Sequence, residues 1–536
     1  IPSGCKVCEC VPIAYYNIED ARISPELDIM NRTAERMLQP AICIGGGLEL
    51  NENYKMVGRM YPHPKTQQST LLISKYEPTK DALSTYKCEG LEALEMFRPT
   101  DWTEESIRIR LNEVYTDFES NVTHIYQRKL LHLVVDLAYH SPLLLTFDGK
   151  VAKGWAEVLI LGDSAQGKSE TALGLMQHYQ LGEKVECKNA TVAGLLGGLQ
   201  QSGNRWFVSW GIVPTHDKRL VIFEELKGAS VEVIGKLTDM RSSGIAEIPK
   251  IEKRRTHART RLIALSNPRF DRSLSTYNFG IIAVKELIGN LEDIRRFDLA
   301  LLVGSNEIDA TKLNALRKDH PQTPQKHTSE LCRSLVLWAW TREPDQVHFE
   351  PDSLAEVLSQ STKLCEEFTD AIPLIDRGSM RFKLARLSAA LACRTFSTSD
   401  DHSCVIIRPA HVFFIANLLR RIYNSPVFGY TDYTAAVRST EEIIDPDVIR
   451  KKVNETPFPK DFVTHMLHAN WVDLFDIQDW CSWERTDALE LLSLLVRKYA
   501  LHREGRKYRK SSRFIELLKL MLEEGFEDRP SHIPEF

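Results

Sequence analysis

Four short runs of apolar residues stand out in the middle of the chain, each about the length of a β-strand. They are Val158–Leu161, Leu220–Phe223, the apolar part Leu262–Leu265 of the predicted strand Thr260–Leu265, and Leu299–Val303. A continuous apolar run of this length, bounded by polar residues and turns, is typical of a buried strand. Segments with apolar residues at helical spacing lie between these runs. The alternation predicts an α/β core over residues 151–328.

The residues before this core divide into two segments. Residues 1–100 carry alternating or β-branched runs at Lys55–Met60 and Ser69–Ser74, broken by glycines and prolines. They predict a small β domain, OB-like in type, which either binds a ligand or is purely structural. Residues 101–150 open with the capping signal Asp101–Glu104 and keep helical spacing to about His140, which predicts a helical connector leading into the core.

The residues after the core have helical periodicity. In residues 329–430 the helical runs are Leu335–Trp340, Leu354–Phe368, Phe382–Thr395 and Ala410–Tyr423. They predict a helical lid on the α/β core. Residues 431–536 have the pattern of three helices, a basic turn at Leu501–Ser512 and a last helix. This is the outline of a winged helix.

The chemistry of the core begins directly after its first apolar run. A Gly-x4-Gly-Lys-Ser loop follows Val158–Leu161, and a helix is predicted from about Glu170. Between a buried strand and a helix, such a loop presents backbone amides to phosphate. Lys168 is placed to neutralise the β- and γ-phosphates, and Ser169 to ligate Mg²⁺. The predicted nucleotide-binding residues are Gly162, Asp163, Ser164, Ala165, Gln166, Gly167, Lys168 and Ser169.

Two further apolar runs end in polar residues suited to hydrolysis. Glu224 and Glu225 follow Leu220–Phe223. The first carboxylate is predicted to hold Mg²⁺ together with Ser169, and the second to polarise the attacking water. A pair of acids at a strand end can also be merely solvated. Asn267, after Thr260–Leu265, is predicted to lie beside the γ-phosphate and to orient water.

Two arginines are candidates for completing a nucleotide site. Arg296 precedes the strand Leu299–Val303, from where it can point across a subunit boundary to a neighbour's nucleotide. Arg381 opens a lid helix and can reach a nucleotide from the second side. An arginine that acts in trans makes each site complete only between subunits, so a homo-oligomeric ring, most naturally a hexamer, is expected.

Basic residues cluster in two places. Lys250, Lys253 and Arg254 belong to a basic segment between two core elements, which is either a finger that contacts phosphates or a solvated turn. The basic turn of the last domain carries Arg506, Lys507 and Arg509. As the wing of a winged helix it would contact nucleic acid, and as a docking module it would contact a protein partner.

The composition restricts how the protein could bind nucleic acid and in which compartment it is expected. The net charge of −5 means that nucleic acid would have to bind at local basic patches. No apolar run is long enough to cross a bilayer, so no membrane association is expected. Eleven cysteines, mostly scattered singly, favour a reducing cytoplasm over a disulfide framework. Cys5, Cys8 and Cys10 stand together as half of a zinc motif or as free thiols.

Together these motifs resemble the minichromosome maintenance (MCM) helicases of the AAA+ class, and in particular the MCM-like helicases carried by bacterial mobile genetic elements. The resemblance covers Val158–Val303 and extends more loosely through the lid and the winged helix. It is carried by Gly162–Ser169, by the segment Ile248–Lys250, by Ser266-Asn267-Pro268 and by Arg296–Leu299. Arg205 and Trp206 fall where the family has an inserted hairpin. The family's Asp-Glu pair is Glu224-Glu225 here.

The resemblance implies an ATP-driven, Mg²⁺-dependent DNA helicase. It would act as a ring on single-stranded and forked DNA with 3′-to-5′ polarity, in the replication of a mobile element or plasmid. Its pore hairpins would carry Lys250, Arg205 and Trp206, and its winged helix would also offer a site for a replication or loading partner. The alternative is an AAA+ switch or protein remodeller that does not unwind DNA.

Overall fold

A computed structural model provides the structure of this chain. It describes residues 18–23, 39–48, 53–63, 66–79, 83, 86–202, 205–250, 252–308, 324–442, 446–504 and 507–526. The chain divides into two units, Ile1–Tyr430 and Thr431–Phe536. In the described part of the chain, no helix combines the length and the apolar character needed to span a bilayer.

A five-stranded parallel sheet forms the centre of the first unit, so the predicted α/β class is confirmed. The Gly-x4-Gly-Lys-Ser loop Gly162–Ser169 is called the P-loop below. In chain order the strands are the P-loop strand Glu157–Gly162, the edge strand Glu183–Glu186, the acidic strand Leu220–Glu224, the amide strand Arg261–Ser266 and the outer strand Leu299–Val303. Across the sheet the order is outer, P-loop, amide, acidic, edge. The P-loop, amide and outer strands are buried along their whole length, which explains the apolar runs Val158–Leu161, Leu262–Leu265 and Leu299–Val303 within them.

Two antiparallel hairpins are inserted into this core. The first pairs Gly197–Ser202 with Arg205–Trp210, and the second pairs Ile245–Lys250 with Glu252–His257. The second hairpin is the basic segment of the sequence, and four residues after it the amide strand begins. Strands Gly197–Ser202 and Ile245–Lys250 contact each other. The second hairpin is therefore joined to the central sheet through a short segment.

Helices fill the spaces between the strands. Those of the α/β core are Lys168–Tyr179, Val192–Leu195, Ile212–Thr215, Val231–Lys236, Thr238–Ser243, Ile281–Ile288 and Leu291–Arg295. Those of the predicted lid are Ser329–Trp340, Pro351–Glu367, Met380–Arg394 and Pro409–Tyr423, followed by Tyr430–Glu442. A short parallel pair, Val347–Phe349 with Val405–Ile407, lies among the lid helices.

The predicted connector is not one long helix. It forms Glu104–Phe118 and Lys129–Tyr139, separated by a wide helical turn at Glu119–Thr123, and ends in the hairpin Leu144–Phe147 with Lys150–Lys153. The first helix is capped by Thr103, whose hydroxyl accepts from the amide of Ser106 at 3.2 Å. His124 and Gln127 adopt left-handed backbone angles, which no helix accommodates. Apolar spacing continues across this break, and for that reason the sequence does not reveal it.

A buried ion pair joins the connector to the lid and to the P-loop helix Lys168–Tyr179. Nε of Arg394 donates to the Asp136 carboxylate at 2.6 Å, and both side chains are fully buried. The hydroxyls of Tyr115 and Tyr179 donate to the same carboxylate. A buried charge is tolerated when it is paired and hydrogen-bonded in this way. The three segments are therefore fixed to one another.

The described amino-terminal strands are Ile18–Ile23, Gln39–Ile44, Tyr54–Pro62 and Ser69–Pro78. They form a mixed sheet in the order first, second, fourth, third. Four strands in this order do not by themselves make the five-stranded barrel of an OB fold. The OB-like character of this domain stays a prediction.

Within its described residues, the second unit has two helices that the sequence pattern does not predict: Tyr430–Glu442, which begins at the boundary between the units, and Pro446–Asn454. Its helices after Tyr430–Glu442 are Pro446–Asn454, Pro459–His468, Leu474–Cys481, Arg485–Arg497 and Ser512–Glu524, and the hairpin Leu501–Glu504 with Lys507–Lys510 precedes the last. Val472 forms an antiparallel bridge with Tyr508, which adds a third extended segment to the hairpin. Residues from all these helices build one apolar core.

Candidate functional site

The P-loop connects the P-loop strand to a helix that begins at Lys168, two residues earlier than predicted. Gly162 ends the strand beside Val303, and a Cβ at this position would lie 2.3 Å from the Val303 carbonyl oxygen. Gly167 has a φ of +77°, and a Cβ there would lie 2.6 Å from Cγ2 of Ile125. Both glycines are required by close packing, and the second also by its left-handed backbone.

Lys168 lies at the base of the loop with its side chain buried. Nζ donates to the carbonyl oxygens of Gly162 at 3.0 Å and Asp163 at 2.5 Å. Burial lowers the pKa of Lys168 to about 8, although the nearby carboxylates of Asp163 and Glu170 oppose that shift. The ammonium group is still mostly charged at neutral pH, as a phosphate ligand must be.

The two predicted magnesium ligands are brought together. The carboxylate of Glu224 accepts a hydrogen bond from the Ser169 side chain. It also forms an ion pair with Lys184, in which Nζ lies 3.0 Å from Oε2 of Glu224. Burial raises the pKa of Glu224, but these two partners outweigh it and lower the pKa overall. A charged carboxylate and a hydroxyl oxygen fit Mg²⁺, which prefers oxygen ligands. Lys184, on the edge strand, is a neighbour that no motif in the sequence indicates.

Glu225 follows the acidic strand in a left-handed conformation, with φ of +51°. Its side chain is exposed and lines the same cleft as Ser169. A non-glycine residue with these backbone angles is strained, and such strain often occurs at functional sites. The amide of Lys227 donates to Oγ of Ser266 at 3.0 Å, which fixes the turn after Glu225 against the end of the amide strand.

Asn267 follows the amide strand, which lies between the P-loop strand and the acidic strand. Its Nδ2 donates to Oγ of Ser164 at 3.1 Å, so the amide touches the P-loop itself. The described residues that line the cleft are Ser164, Ala165, Gln166, Gly167, Lys168, Ser169, Glu170, Glu224, Glu225, Leu265, Ser266 and Asn267. The structure thus brings the predicted loop, acid pair and amide to one edge of the sheet.

The carboxylate of Asp163 holds the P-loop in place. It accepts hydrogen bonds from the amide of Leu274 at 2.8 Å, the amide of Ser305 at 3.0 Å and Oγ of Ser273 at 3.2 Å. Burial raises its pKa, but these donors outweigh it and lower the pKa overall. The Asp163 side chain therefore holds the P-loop to the segments that follow the amide and outer strands.

Arg128 is a site residue that the sequence patterns missed. Its guanidinium is buried and donates to Oε1 of Gln166 at 2.6 Å, to the Gly304 carbonyl at 3.1 Å and to Oε2 of Glu307 at 2.7 Å. One residue in the connector thereby anchors the P-loop to the end of the outer strand. Its only signal in the sequence is a basic residue inside a predicted helix, which is an ordinary surface pattern.

The two adjacent arginines before the outer strand differ in their partners. Arg295 pairs with Oε1 of Glu292 at 2.9 Å and lies 3.6 Å from the Asp376 carboxylate. Within the described residues, the guanidinium of Arg296 forms no hydrogen bond or ion pair, and its Nε is buried without a partner. Arg381 is exposed and stacks over the Phe382 ring at 4.8 Å. Neither Arg296 nor Arg381 is among the described residues lining the cleft.

The predicted nucleic-acid contacts lie on three hairpins. Arg205, Trp206, Lys250 and Lys253 occupy the paired strands of the two core hairpins, and their side chains lie outside the described residues. Arg254 is exposed on the same strand as Lys253. On the carboxy-terminal hairpin, Lys507 and Arg509 are exposed, and Arg506 lies outside the described residues. Lys510 instead donates to the Met466 and Leu467 carbonyls at 2.6 and 2.8 Å.

The predicted zinc ligands Cys5, Cys8 and Cys10 lie outside the described residues. Within the part of the chain that the structure describes, no group of three or more histidine, cysteine or acidic side chains is arranged to hold a metal ion. The zinc prediction therefore stays a prediction.

Comparison with known protein families gives no match to this chain, and no curated protein matches it either.

Proposed function

We propose that this chain is an ATP-dependent DNA helicase and translocase of the MCM-like AAA+ class that works as a ring. The observation that carries the proposal is the cleft, where the P-loop, the Ser169–Glu224 pair, Glu225 and Asn267 converge at the carboxyl ends of parallel strands. Ligands of open α/β sheets bind at this edge, where the order of strand connections reverses. The P-loop strand lies at such a reversal, between the outer strand and the amide strand.

ATP binding follows from the loop. Its amides and the buried charge of Lys168 would bind the phosphates, and Ser169 with Glu224 would hold Mg²⁺. Bound there, the metal ion would neutralise charge on the phosphate oxygens. Glu225 would accept the proton of the attacking water, and Asn267 would orient that water beside the terminal phosphate.

Two observations support action in a ring. Arg296 has a guanidinium without a partner among the described residues and does not line the cleft of its own subunit. An arginine presented in this way is available to a neighbouring copy, where it would stabilise the charge that develops on the transferred phosphate. Arg381, exposed at the start of its helix, is the second candidate for such a contact.

The proposed action on DNA rests on the hairpins. The segment Ile245–His257 contains a cluster of cations and leads directly into the amide strand, which ends beside Asn267 at the cleft. A movement of Asn267 on loss of the terminal phosphate would therefore be passed to the hairpin through the amide strand alone. The exposed Lys507 and Arg509 on the second unit would add backbone contacts to DNA.

The experiment that tests the proposal measures the unwinding of a forked duplex with ATP, together with ATP hydrolysis with and without single-stranded DNA and the mass of the assembly. We expect unwinding, stimulation of hydrolysis and a mass of several subunits. Hydrolysis without stimulation or unwinding would instead favour an AAA+ switch or protein remodeller.

Arg128→Gln is expected to weaken ATP binding roughly tenfold or more, since a hydrogen bond to a charged group contributes about 1.5–3 kcal/mol. The lost contacts are those to Gln166 and to Glu307. Titration with a non-hydrolysable ATP analogue measures the effect. Arg108→Gln removes an exposed arginine of the same connector and serves as the control. Equal affinities for the two variants would contradict the role given to Arg128.

Lys250→Ala is expected to abolish unwinding even at saturating DNA, because the hairpin that carries Lys250 is linked to the cleft and would move the DNA strand. Joint replacement of Arg506, Lys507 and Arg509 by alanine is expected to weaken binding, with a salt dependence shallower by up to about three phosphate contacts. Unwinding at saturating DNA separates the two. If the triple variant of the carboxy-terminal hairpin fails to unwind at saturating DNA and Lys250→Ala unwinds normally, then the carboxy-terminal hairpin drives unwinding and Lys250 serves only in DNA binding.

A further inference from the structure

The helix Thr238–Ser243 leads into the basic hairpin with one residue between them. That residue, Gly244, has a φ of +69°, and a Cβ on it would lie 2.8 Å from both Trp155 and Arg259. Its amide donates to the Met240 carbonyl at 2.8 Å, and its carbonyl accepts from the amide of Ala258 at 2.7 Å. Both ends of the hairpin are thus bonded to Gly244. A rotation of the hairpin would turn the helix with it.

The first turn of this helix is bonded to the segment that carries Arg296. Oγ1 of Thr238 donates to Oδ1 of Asp293. Asp293 is fully buried, and its Oδ2 has no hydrogen-bond partner among the described residues. Asp293 precedes Arg296 by one helical turn, and the amide of Arg296 donates to the Asp293 carbonyl at 3.3 Å. The buried carboxylate therefore depends on the Thr238 hydroxyl, because an unsatisfied buried acceptor is unfavourable.

A second connection lies one turn further along the same helix. Nε of Arg241 donates to Oε2 of Glu157 at 2.6 Å, and its guanidinium lies over the Phe297 ring at 4.3 Å. Phe297 is the residue after Arg296 and is buried. The helix thus holds the Arg296 segment on both sides of the arginine, through Asp293 before it and Phe297 after it.

The other end of that segment is anchored to the sheet. The amide of Asp298 donates to the Glu157 carbonyl at 2.8 Å, and the amide of Glu157 donates to Oδ2 of Asp298 at 2.8 Å. Asp298 also forms a buried ion pair with Arg386 of the lid helix Met380–Arg394. With Asp298 fixed, a displacement of Thr238–Ser243 would act mainly on Asp293–Phe297 and so on the arginine between them.

We propose that Thr238 and Asp293 are positioning residues through which the helix Thr238–Ser243 couples the basic hairpin to Arg296. This inference rests on the proposed function, in which Arg296 completes a neighbour's site and the hairpin contacts DNA. Binding of DNA to the hairpin of one subunit then adjusts the arginine that this subunit supplies to the next. The coupling runs between adjacent nucleotide sites rather than only within one.

The test compares the ratio of the ATPase rates with and without single-stranded DNA in the assembled ring. Thr238→Val removes the hydroxyl and keeps the shape of the side chain, and we expect the ratio to fall roughly tenfold or towards one. Thr238→Ser keeps the donor and is expected to restore the wild-type ratio. Lys236→Ala removes an exposed ion pair with Glu232 on the preceding helix and serves as the control.

The ratio is the chosen measurement because a partly unfolded sample lowers both rates equally. The double variant Thr238→Val, Lys250→Ala is expected to have the same ratio as the single variant with the lower ratio, since both changes interrupt the same coupling between the hairpin and Arg296. A Thr238→Val ratio equal to the wild type, in a wild type that DNA stimulates, would overturn the inference and leave the proposed function standing. A wild-type ratio of one would overturn both.

Discussion

Lys168→Ala is expected to lose measurable nucleotide binding, whereas Glu225→Gln is expected to bind nucleotide normally and to lose turnover. The ammonium of Lys168 is a buried positive charge at the base of the P-loop, so in the proposed reaction it would contact phosphate already in the bound ground state. Glu225 is exposed and lines the cleft, and in the proposed reaction it would act only on the attacking water.

The expected sizes follow from these positions. Removing a hydrogen-bonding contact from a charged group costs about 1.5–3 kcal/mol, or roughly ten- to a hundredfold in affinity. Removing a general base costs roughly 10²–10⁴ in kcat. Lys168→Ala therefore acts on the dissociation constant, and Glu225→Gln acts on kcat with little change in affinity.

Calorimetric titration with a non-hydrolysable ATP analogue and steady-state hydrolysis measure the two effects separately. Glu232→Gln changes an exposed acid on the helix Val231–Lys236 and is the matched control for the loss of a carboxylate. Hydrolysis by Glu225→Gln at the wild-type rate would remove Glu225 from its assigned role. Undiminished binding by Lys168→Ala would remove the P-loop from its own.

Arg296→Ala protein is expected to be nearly inactive alone and to regain ATPase activity when mixed with Glu225→Gln protein. A trans-acting arginine contributes roughly 10³–10⁵ to kcat. In a mixed ring, an Arg296→Ala subunit next to a Glu225→Gln subunit forms an interface that has both an intact base and an intact arginine. Random mixing of equal amounts gives such interfaces at about a quarter of the sites in a cyclic assembly.

Arg295→Ala supplies the comparison, because the two arginines are adjacent but differently held. Arg295 is engaged by Glu292 and lies near Asp376, so we expect its removal to lower activity far less. The activity of the mixture is followed across ratios, with native mass measurements showing that mixed rings form. If mixed rings form and no ratio restores hydrolysis, Arg296 does not act in trans. Recovery with Arg295→Ala instead would assign the role to Arg295.

Much of the candidate site is predictable because its chemistry lies next to its strands in the sequence. Gly162–Ser169 and the pair Glu224-Glu225 each directly follow an apolar run, and Asn267 follows one with a single residue between them. The apolar runs are strongly specified, because a buried strand tolerates few polar residues. Local patterns therefore suffice to find four of the five strands, their order along the chain and the polar residues at their ends, whereas the edge strand Glu183–Glu186 has no apolar run and is missed.

Only the tertiary structure decides which of these residues meet and which are used elsewhere. Asn267 and Ser164 lie 103 residues apart in sequence, and Arg128 and Gln166 lie 38 apart, yet each pair shares a hydrogen bond. Asp163 has the same motif position as its neighbours, but its carboxylate is used by two distant loops. The break at 119–128 that lets Arg128 reach the P-loop leaves the helical apolar spacing undisturbed.

The α/β class, most of the strand ends and the polar residues there follow from local sequence patterns, because burial and turn geometry act on neighbouring residues. The folded structure is needed to show that Lys184 pairs with Glu224, that Arg295 has an ion-pair partner whereas the Arg296 side chain has none among the described residues, and that Thr238 meets Asp293. Hydrogen bonds and ion pairs depend on distances of a few ångströms between segments far apart in the chain. Those distances are set by strand order and packing, which no local pattern records.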